Sequence, residues 1–142
     1  MKVSARNVLS GKVTAVKRGA VNSEVELTMA GGHRIVSIIT NESLENLGLT
    51  EGKEAFALIK APLVVLGKDI AGMKFSTRNI LEGTIKNIVH GSVNCEVALE
   101  LKGGAVIESI VTERSIAEMG LKTGDKATAL FKASSVVMAV KS

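Results

Sequence analysis

The sequence predicts an all-β protein of two tandem five-stranded barrels, each with one short helix. Three observations carry that expectation. The chain is written twice, most of its segments alternate apolar and polar residues, and one short stretch in each copy changes to helical periodicity. The repeat is direct: Ser4-Ala-Arg-Asn-Val-Leu-Ser-Gly11 returns as Ser76-Thr-Arg-Asn-Ile-Leu-Glu-Gly83, and a constant offset of 72 residues extends the match without a gap. Of the 67 pairs formed by residues 4–70 and 76–142, 28 are identical. Two copies in one chain act as a two-member alignment, so polar residues kept in both become candidates for function.

Within the first copy, Asn7–Lys17 reads as a strand. Val21, Ser23, Val25, Leu27 and Met29 then alternate with Asn22, Glu24, Glu26 and Thr28, the period of two that a half-buried strand shows. Gly31-Gly32 supplies the backbone freedom of a tight hairpin, and Arg34–Thr40 returns as a third strand. After Thr40 the period changes. Asn41–Leu47 fits a short helix, with Gly48 as its stop. Thr50-Glu-Gly52 turns the chain into a fourth strand, Glu54–Lys60, and Leu63–Leu66 forms a fifth beyond Pro62. The second copy repeats this order. Five strands with a helix between the third and fourth is the order of an OB-type barrel. The expected organisation is a first domain over 1–67, a linker over 68–75 and a second domain over 76–142.

A unit of about seventy residues lies at the small end of self-sufficient domains, burying only about 60% of its unfolded surface. With one cysteine and no zinc-like spacing, neither disulfide nor metal offsets that smallness. Association does, and an oligomer is expected. Each half holds 9 Lys/Arg and 7 Asp/Glu, a mild positive balance without basic runs. That suits a small anion better than a long polyanion. No signal peptide and no apolar stretch of membrane-spanning length appears, so no membrane partner is expected and the cytoplasm is the expected compartment.

The repeated polar set is Ser4/Ser76, Arg6/Arg78, Asn7/Asn79, Asn22/Asn94, Glu24/Glu96, Ser37/Ser109, Thr40/Thr112, Ser43/Ser115 and Lys60/Lys132. It is rich in hydrogen-bond donors and holds one acid. An oxyanion offers only acceptors, so its site needs N–H and O–H donors plus positive charge, which this set provides. The bland reading of the same residues is that Ser43/Ser115 cap local turns and Arg6/Arg78 pair with Glu24/Glu96. Other chemistries lose support in the comparison. His33 aligns with Ala105, His90 with Arg18 and Cys95 with Ser23, so none of them is a repeated feature. No nucleophile elbow, phosphate loop or metal spacing occurs, and an enzyme is not expected. Without Trp or Tyr, and with Phe56, Phe75 and Phe131 at unmatched positions, no stacking platform for nucleic acid can be built.

Four motifs stand in the same order in both copies, Ser4-Ala-Arg-Asn7, Gly19–Val25, Ile39-Thr-Asn-Glu-Ser43 and Leu58-Ile-Lys-Ala-Pro62, the second copy departing at Ala20/Ser92, Asn41/Glu113 and Pro62/Ser134. Together they resemble the molbindin family, small cytoplasmic molybdate-binding proteins built of TOBE domains, and most closely its di-domain members. The resemblance spans nearly the whole chain. It implies an OB-like fold that binds molybdate or tungstate as intact tetrahedral oxyanions, with no cofactor and no direct protein–metal bond. It also implies sites between domains of different subunits in a homotrimer, which reaches the six-domain assembly that single-domain members build as hexamers. Carried over by position, one kind of site combines Ser4, Arg6, Lys60 and Ala61 with Thr40 and Ser43 of a neighbouring domain. Its second-copy equivalent combines Ser76, Arg78, Lys132 and Ala133 with Thr112 and Ser115. A second kind, near the threefold axis, falls at Gly19, Ala20, Val21 and Asn22 and at Gly91, Ser92, Val93 and Asn94.

The expected function is therefore intracellular binding, storage and buffering of molybdate or tungstate. The alternative is a molybdate-sensing module that acts on a separate partner protein. With Ser4 near the start and Ser142 at the end, no room for a DNA-binding or ATPase domain is expected within the 142 residues.

Overall fold

The computed structural model describes all 142 residues. The first repeat forms β1 (Asn7–Arg18), β2 (Asn22–Met29), β3 (Arg34–Thr40), α1 (Asn41–Leu47), β4 (Glu54–Ile59) and β5 (Val65–Gly67). The second forms β6 (Asn79–His90), β7 (Asn94–Leu101), β8 (Val106–Thr112), α2 (Glu113–Met119), β9 (Lys126–Phe131) and β10 (Val137–Ala139). The alternation that predicts strands is the alternation that is buried: Ser23, Val25, Leu27 and Met29 of β2 point inward, while Glu24, Glu26 and Thr28 are half-exposed.

β1 is long because two partners share it. Its first half pairs with β4, from Asn7↔Ile59 to Lys12↔Glu54. Its second half pairs with β2, with a bulge between Val13 and Ala15 that curls the sheet. Where both partners meet at Gly11, a Cβ would lie 2.4 Å from the Thr28 carbonyl oxygen, so any side chain would force the sheet apart. Gly83 repeats this in β6, with 2.4 Å to the Glu100 oxygen. α1 starts on the Thr40 hydroxyl and stops at Gly48, whose φ of 61° is a left-handed cap that an L side chain rarely adopts. α2 does the same between Thr112 and Gly120. One boundary differs from expectation. Ala61–Leu63 forms a 3₁₀ turn and the fifth strand begins at Val65; Pro62 fits that turn, and Ala133–Ser135 makes the same turn with Ser134 in its place.

The sheets do not follow the repeats. One has the order β10-β4-β1-β2-β3 and the other β5-β9-β6-β7-β8. Each repeat therefore gives its last strand to the other: Val65, Leu66 and Gly67 pair with Leu130, Ala129 and Thr128, and Val137, Met138 and Ala139 pair with Leu58, Ala57 and Phe56. The two curled five-stranded sheets share one hydrophobic cluster of 27 residues drawn from both repeats. Smallness is offset first inside the chain, by exchange.

Four repeated polar residues fasten the seam. Asn7 Nδ2 donates to the Glu108 carbonyl at 2.8 Å, and its Oδ1 accepts from the Glu108 N–H at 2.7 Å. Asn79 bonds both backbone groups of Val36 in the same way, each at 2.8 Å. Ser37 and Ser109, both buried, donate to the carbonyls of Val136 and Val64 at 2.8 and 2.7 Å. Buried polar groups need such partners, and here the partners lie in the other repeat.

Candidate functional site

The donors singled out by the duplication gather where the repeats meet, but they are not all alike. Arg6 and Arg78 cross the seam to Glu96 and Glu24, at 2.6 and 2.7 Å. Each guanidinium holds its carboxylate partner below the usual range, chiefly through the hydrogen bond. The pairing of Arg with Glu that the bland reading anticipated is therefore real, and it links different repeats. Each pair is close to neutral overall. Lys60 and Lys132 form no ion pair; both are exposed and precede a 3₁₀ turn whose first residue, Ala61 or Ala133, is buried. They provide the uncompensated charge. Ser4 and Ser76 are exposed just before β1 and β6. Between Ser76 and Arg78, the Thr77 hydroxyl is buried without a partner.

Thr40 and Ser43 form a relay at the start of α1. Thr40 Oγ1 accepts from the Ser43 N–H at 3.1 Å and donates to Ser43 Oγ at 2.9 Å. Ser43 Oγ is thus an acceptor within the relay, which leaves its own proton to donate outward. Thr112 and Ser115 reproduce the arrangement at 3.0 and 2.8 Å. The first relay opens on a cleft of about 310 Å³ whose far wall is Val136, Val137 and Met138. Ser115 lies in the matching cleft of about 290 Å³, walled by Pro62 and Val64–Leu66. Within one chain, then, Ser115 rather than Ser43 shares a cleft with the segment that follows Lys60 and Ala61. Ser43 shares one with the segment that follows Lys132 and Ala133.

The loops 19–22 and 91–94 lie beside these relays, because Asn22 pairs with Thr40 and Asn94 with Thr112. The Asn41 and Glu113 N–H groups donate to the Val21 and Val93 carbonyls at 2.9 and 2.8 Å. Gly19 and Gly91 have no room for a side chain, since a Cβ would sit 2.5 Å from the oxygen of Asn22 or Asn94. The tips, Val21 and Val93, are about 70% exposed apolar residues at equivalent positions (71% and 69%). The two loops are closed differently. In the first, Asn41 Nδ2 donates to the Gly19 carbonyl at 2.9 Å and Asn41 Oδ1 accepts from the Ser23 hydroxyl. In the second, Glu113 accepts from the Gly91 N–H at 3.0 Å and meets His90 Nδ1 at 2.9 Å. The His90 contact is the largest cause holding the Glu113 carboxyl below its ordinary range. Burial pushes the nearby Cys95 thiol up.

The repeated polar list mixes two roles. Asn7/Asn79, Ser37/Ser109 and the Arg6/Arg78–Glu96/Glu24 pairs join the repeats, leaving Ser4/Ser76, Asn22/Asn94, Lys60/Lys132 and the Thr–Ser relays as donors at the surface. The signal that separates them is alternation: Asn7 shares the inward face of β1 with Leu9, and Ser37 lies between the inward Ile35 and the partly buried Ile39.

Comparison with known proteins supplies the context. A family model described as "TOBE domain" matches residues 3–66 and 76–138. A solved structure of the cytoplasmic molybdate-binding protein ModG, with molybdate bound, superposes with a TM-score of 0.96 at 50% identity, covering 99% of this chain and 100% of that one. The molybdenum transport protein ModE of Herbaspirillum seropedicae is 41% identical over 141 residues, 99% of this chain and 52% of its own length. The molybdenum-pterin-binding protein MopA of Rhodobacter capsulatus is 42% identical over 140 residues, 99% of this chain and 53% of its own. The chain spans about half the length of these two curated relatives.

Proposed function

The chain belongs to the TOBE-domain family, and on that premise we propose that it binds molybdate, and tungstate with it, as an intracellular store or buffer in the cytoplasm. The observation that carries this is the pair of Thr–Ser relays, each presenting an outward hydroxyl proton at a cleft whose far wall is the other repeat. Molybdate at neutral pH is a tetrahedral dianion that only accepts hydrogen bonds, so donors without competing acceptors are what it needs. Lys132 and Ala133 serve the Thr40–Ser43 cleft, and Lys60 and Ala61 the Thr112–Ser115 cleft. The ammonium groups balance charge while the hydroxyls and main-chain N–H groups hold oxygens. Arg6 and Arg78 position these segments through their carboxylate partners and keep further N–H donors for the ligand. Ser4 and Ser76 add hydroxyls at the strand entries. The loops Gly19–Asn22 and Gly91–Asn94 form a second binding region, and Val21 and Val93 at their tips suit contact with further copies in a homotrimer. Nothing in this chemistry calls for catalysis, a cofactor, nucleic acid or a membrane, and no helix is long and apolar enough to cross one. The domain division at 1–67 and 76–142 describes the repeats from which these sites are composed.

Equilibrium dialysis against molybdate, tungstate and sulfate tests the reading. Saturable uptake of the two larger oxyanions, undisturbed by equimolar sulfate, is expected. Absence of saturable molybdate uptake overturns it. A second reading, a molybdate-sensing module acting on another protein, is favoured by one observation: curated relatives carry the matched region within chains of about twice its length. Capture experiments with and without molybdate separate the two, since only the sensor gains a protein partner on loading.

A further inference from the structure

Each sheet has a groove where its borrowed strand stops short. β10 pairs only with Phe56, Ala57 and Leu58, so Glu54 and Ala55 of β4 have no strand on that side. β5 likewise leaves Lys126 and Ala127 of β9 unpaired there. Over the second sheet the chain fills the place itself. After Gly67 it turns, with the Met73 N–H donating to the Ile70 carbonyl at 3.1 Å, and Ile70, Met73 and Phe75 wall the groove beside Glu82 and Ala127. Lys68 anchors this segment, reaching the Gly120 carbonyl at 3.1 Å and Asp125 at 3.4 Å. About 370 Å³ remains open.

The counterpart over the first sheet is a cleft of about 810 Å³. Ser10, Gly11, Ala55 and Phe56 occupy the positions that Glu82, Gly83, Ala127 and Thr128 take in the filled groove. The charge balance differs between the two, although Lys126 of the filled groove stands where the open one has Glu54. Lys53 replaces Asp125 and Lys141 replaces Asp69, while Ser10 replaces Glu82. Lys12 adds a further ammonium group, against the single carboxylate of Glu54. Met29 and Phe56 give the floor apolar surface. The filled groove carries Glu82 beside Lys126, with Asp125 nearby, and holds a segment bearing Lys68, Asp69 and Lys74. The open groove carries lysines.

We propose that this cleft docks a short acidic segment of a partner protein, with apolar anchors spaced as Ile70, Met73 and Phe75 are. The free side of β4 offers unpaired backbone, the floor takes the anchors, and Lys12, Lys53 and Lys141 select for acidic charge. Over the second sheet the linker lies along the equivalent groove, with Ile70 half-buried against it.

The test uses the full chain and a fluorescent synthetic peptide of residues 68–75 carrying Lys68→Glu and Lys74→Glu, followed by anisotropy. Saturable binding that weakens with salt is expected, with amide shifts at Ser10 and Lys53–Phe56. Lys12→Glu combined with Lys141→Glu lies on exposed positions, and an unchanged circular dichroism melt confirms its fold. That variant should bind roughly tenfold more weakly. Absence of saturable binding, or equal binding of the unaltered linker peptide, overturns the proposal. Equal binding of an acidic peptide with Ile70→Ser, Met73→Ser and Phe75→Ser reduces the cleft to a general anion attractor and also overturns it. So does a set of groove shifts that follows protein concentration and ignores peptide, which assigns the groove to a second copy.

Discussion

Replacing Asn7 by alanine tests whether the repeated amides hold the repeats together. Asn7 is 2% exposed and makes three side-chain hydrogen bonds: to the Ile59 carbonyl at 3.2 Å, to the Glu108 carbonyl at 2.8 Å and from the Glu108 N–H at 2.7 Å. Two of them cross to the other repeat. Each bond contributes about 1 kcal/mol net, and orphaned partners add desolvation cost, so Asn7→Ala should lose about 3 kcal/mol. For a chain of this size that lowers the melting temperature by roughly 8–12 °C. Asn79→Ala, which frees both backbone groups of Val36, should behave alike. With no Trp or Tyr in the chain, the assay is far-UV circular dichroism at one protein concentration for every variant. Asn7→Asp sharpens the test. Its carboxylate would face the Ile59 and Glu108 carbonyls, so its folded-state pKa is raised. The variant is therefore least stable relative to wild type at neutral pH and recovers as acid protonates it. A shift below about 2 °C for Asn7→Ala, or no recovery of Asn7→Asp in acid, refutes the reasoning.

Lys60→Ala combined with Lys132→Ala removes the charges without salt-bridge partners, and titration calorimetry should show molybdate affinity falling about ten- to a hundredfold while the melting curve stays in place; unchanged affinity excludes these lysines from the site. The Glu113 carboxyl is held down by His90 first and then by the Gly91 N–H, so its stabilising contribution is present above the unfolded-state pKa and disappears as pH falls through the lower folded-state value. The Gly91 amide resonance should therefore move in acid while that of Gly19, whose loop is closed by the neutral Asn41, does not; parallel movement of both would contradict the assignment. Cys95 is buried with its thiol pushed up, so a disulfide reagent should label it slowly in native protein and rapidly in urea. Rapid native labelling would show that β7 opens.

Much of the fold is legible along the chain because local chemistry decides it. The helix Asn41–Leu47 is announced by Thr40 before it and Gly48 after it, and β2 and β3 by their alternation. The exchange of β5 and β10 is not legible, for a physical reason. Val64-Val65-Leu66 and Val136-Val137-Met138 present nearly the same inward and outward faces, so pairing with either β4 or β9 satisfies the pattern equally. Only the path of the chain through the 3₁₀ turns distinguishes them. The candidate site is half legible for a related reason. Duplication preserves Lys60 and Asn7 alike, although one ends in solvent and the other fastens the seam. The open groove escapes the repeat altogether, since Lys12, Lys53 and Phe56 are positions where the copies differ.

In the proposed site an oxyanion is held where one repeat's Thr–Ser relay meets the other repeat's lysine segment. Anomalous diffraction from crystals soaked in tungstate tests it most directly. Peaks are expected within hydrogen-bond distance of the Ser43 and Ser115 hydroxyls, with Lys132 and Lys60 turned toward them. Full-occupancy peaks confined to surfaces away from both relays and both loops would contradict it.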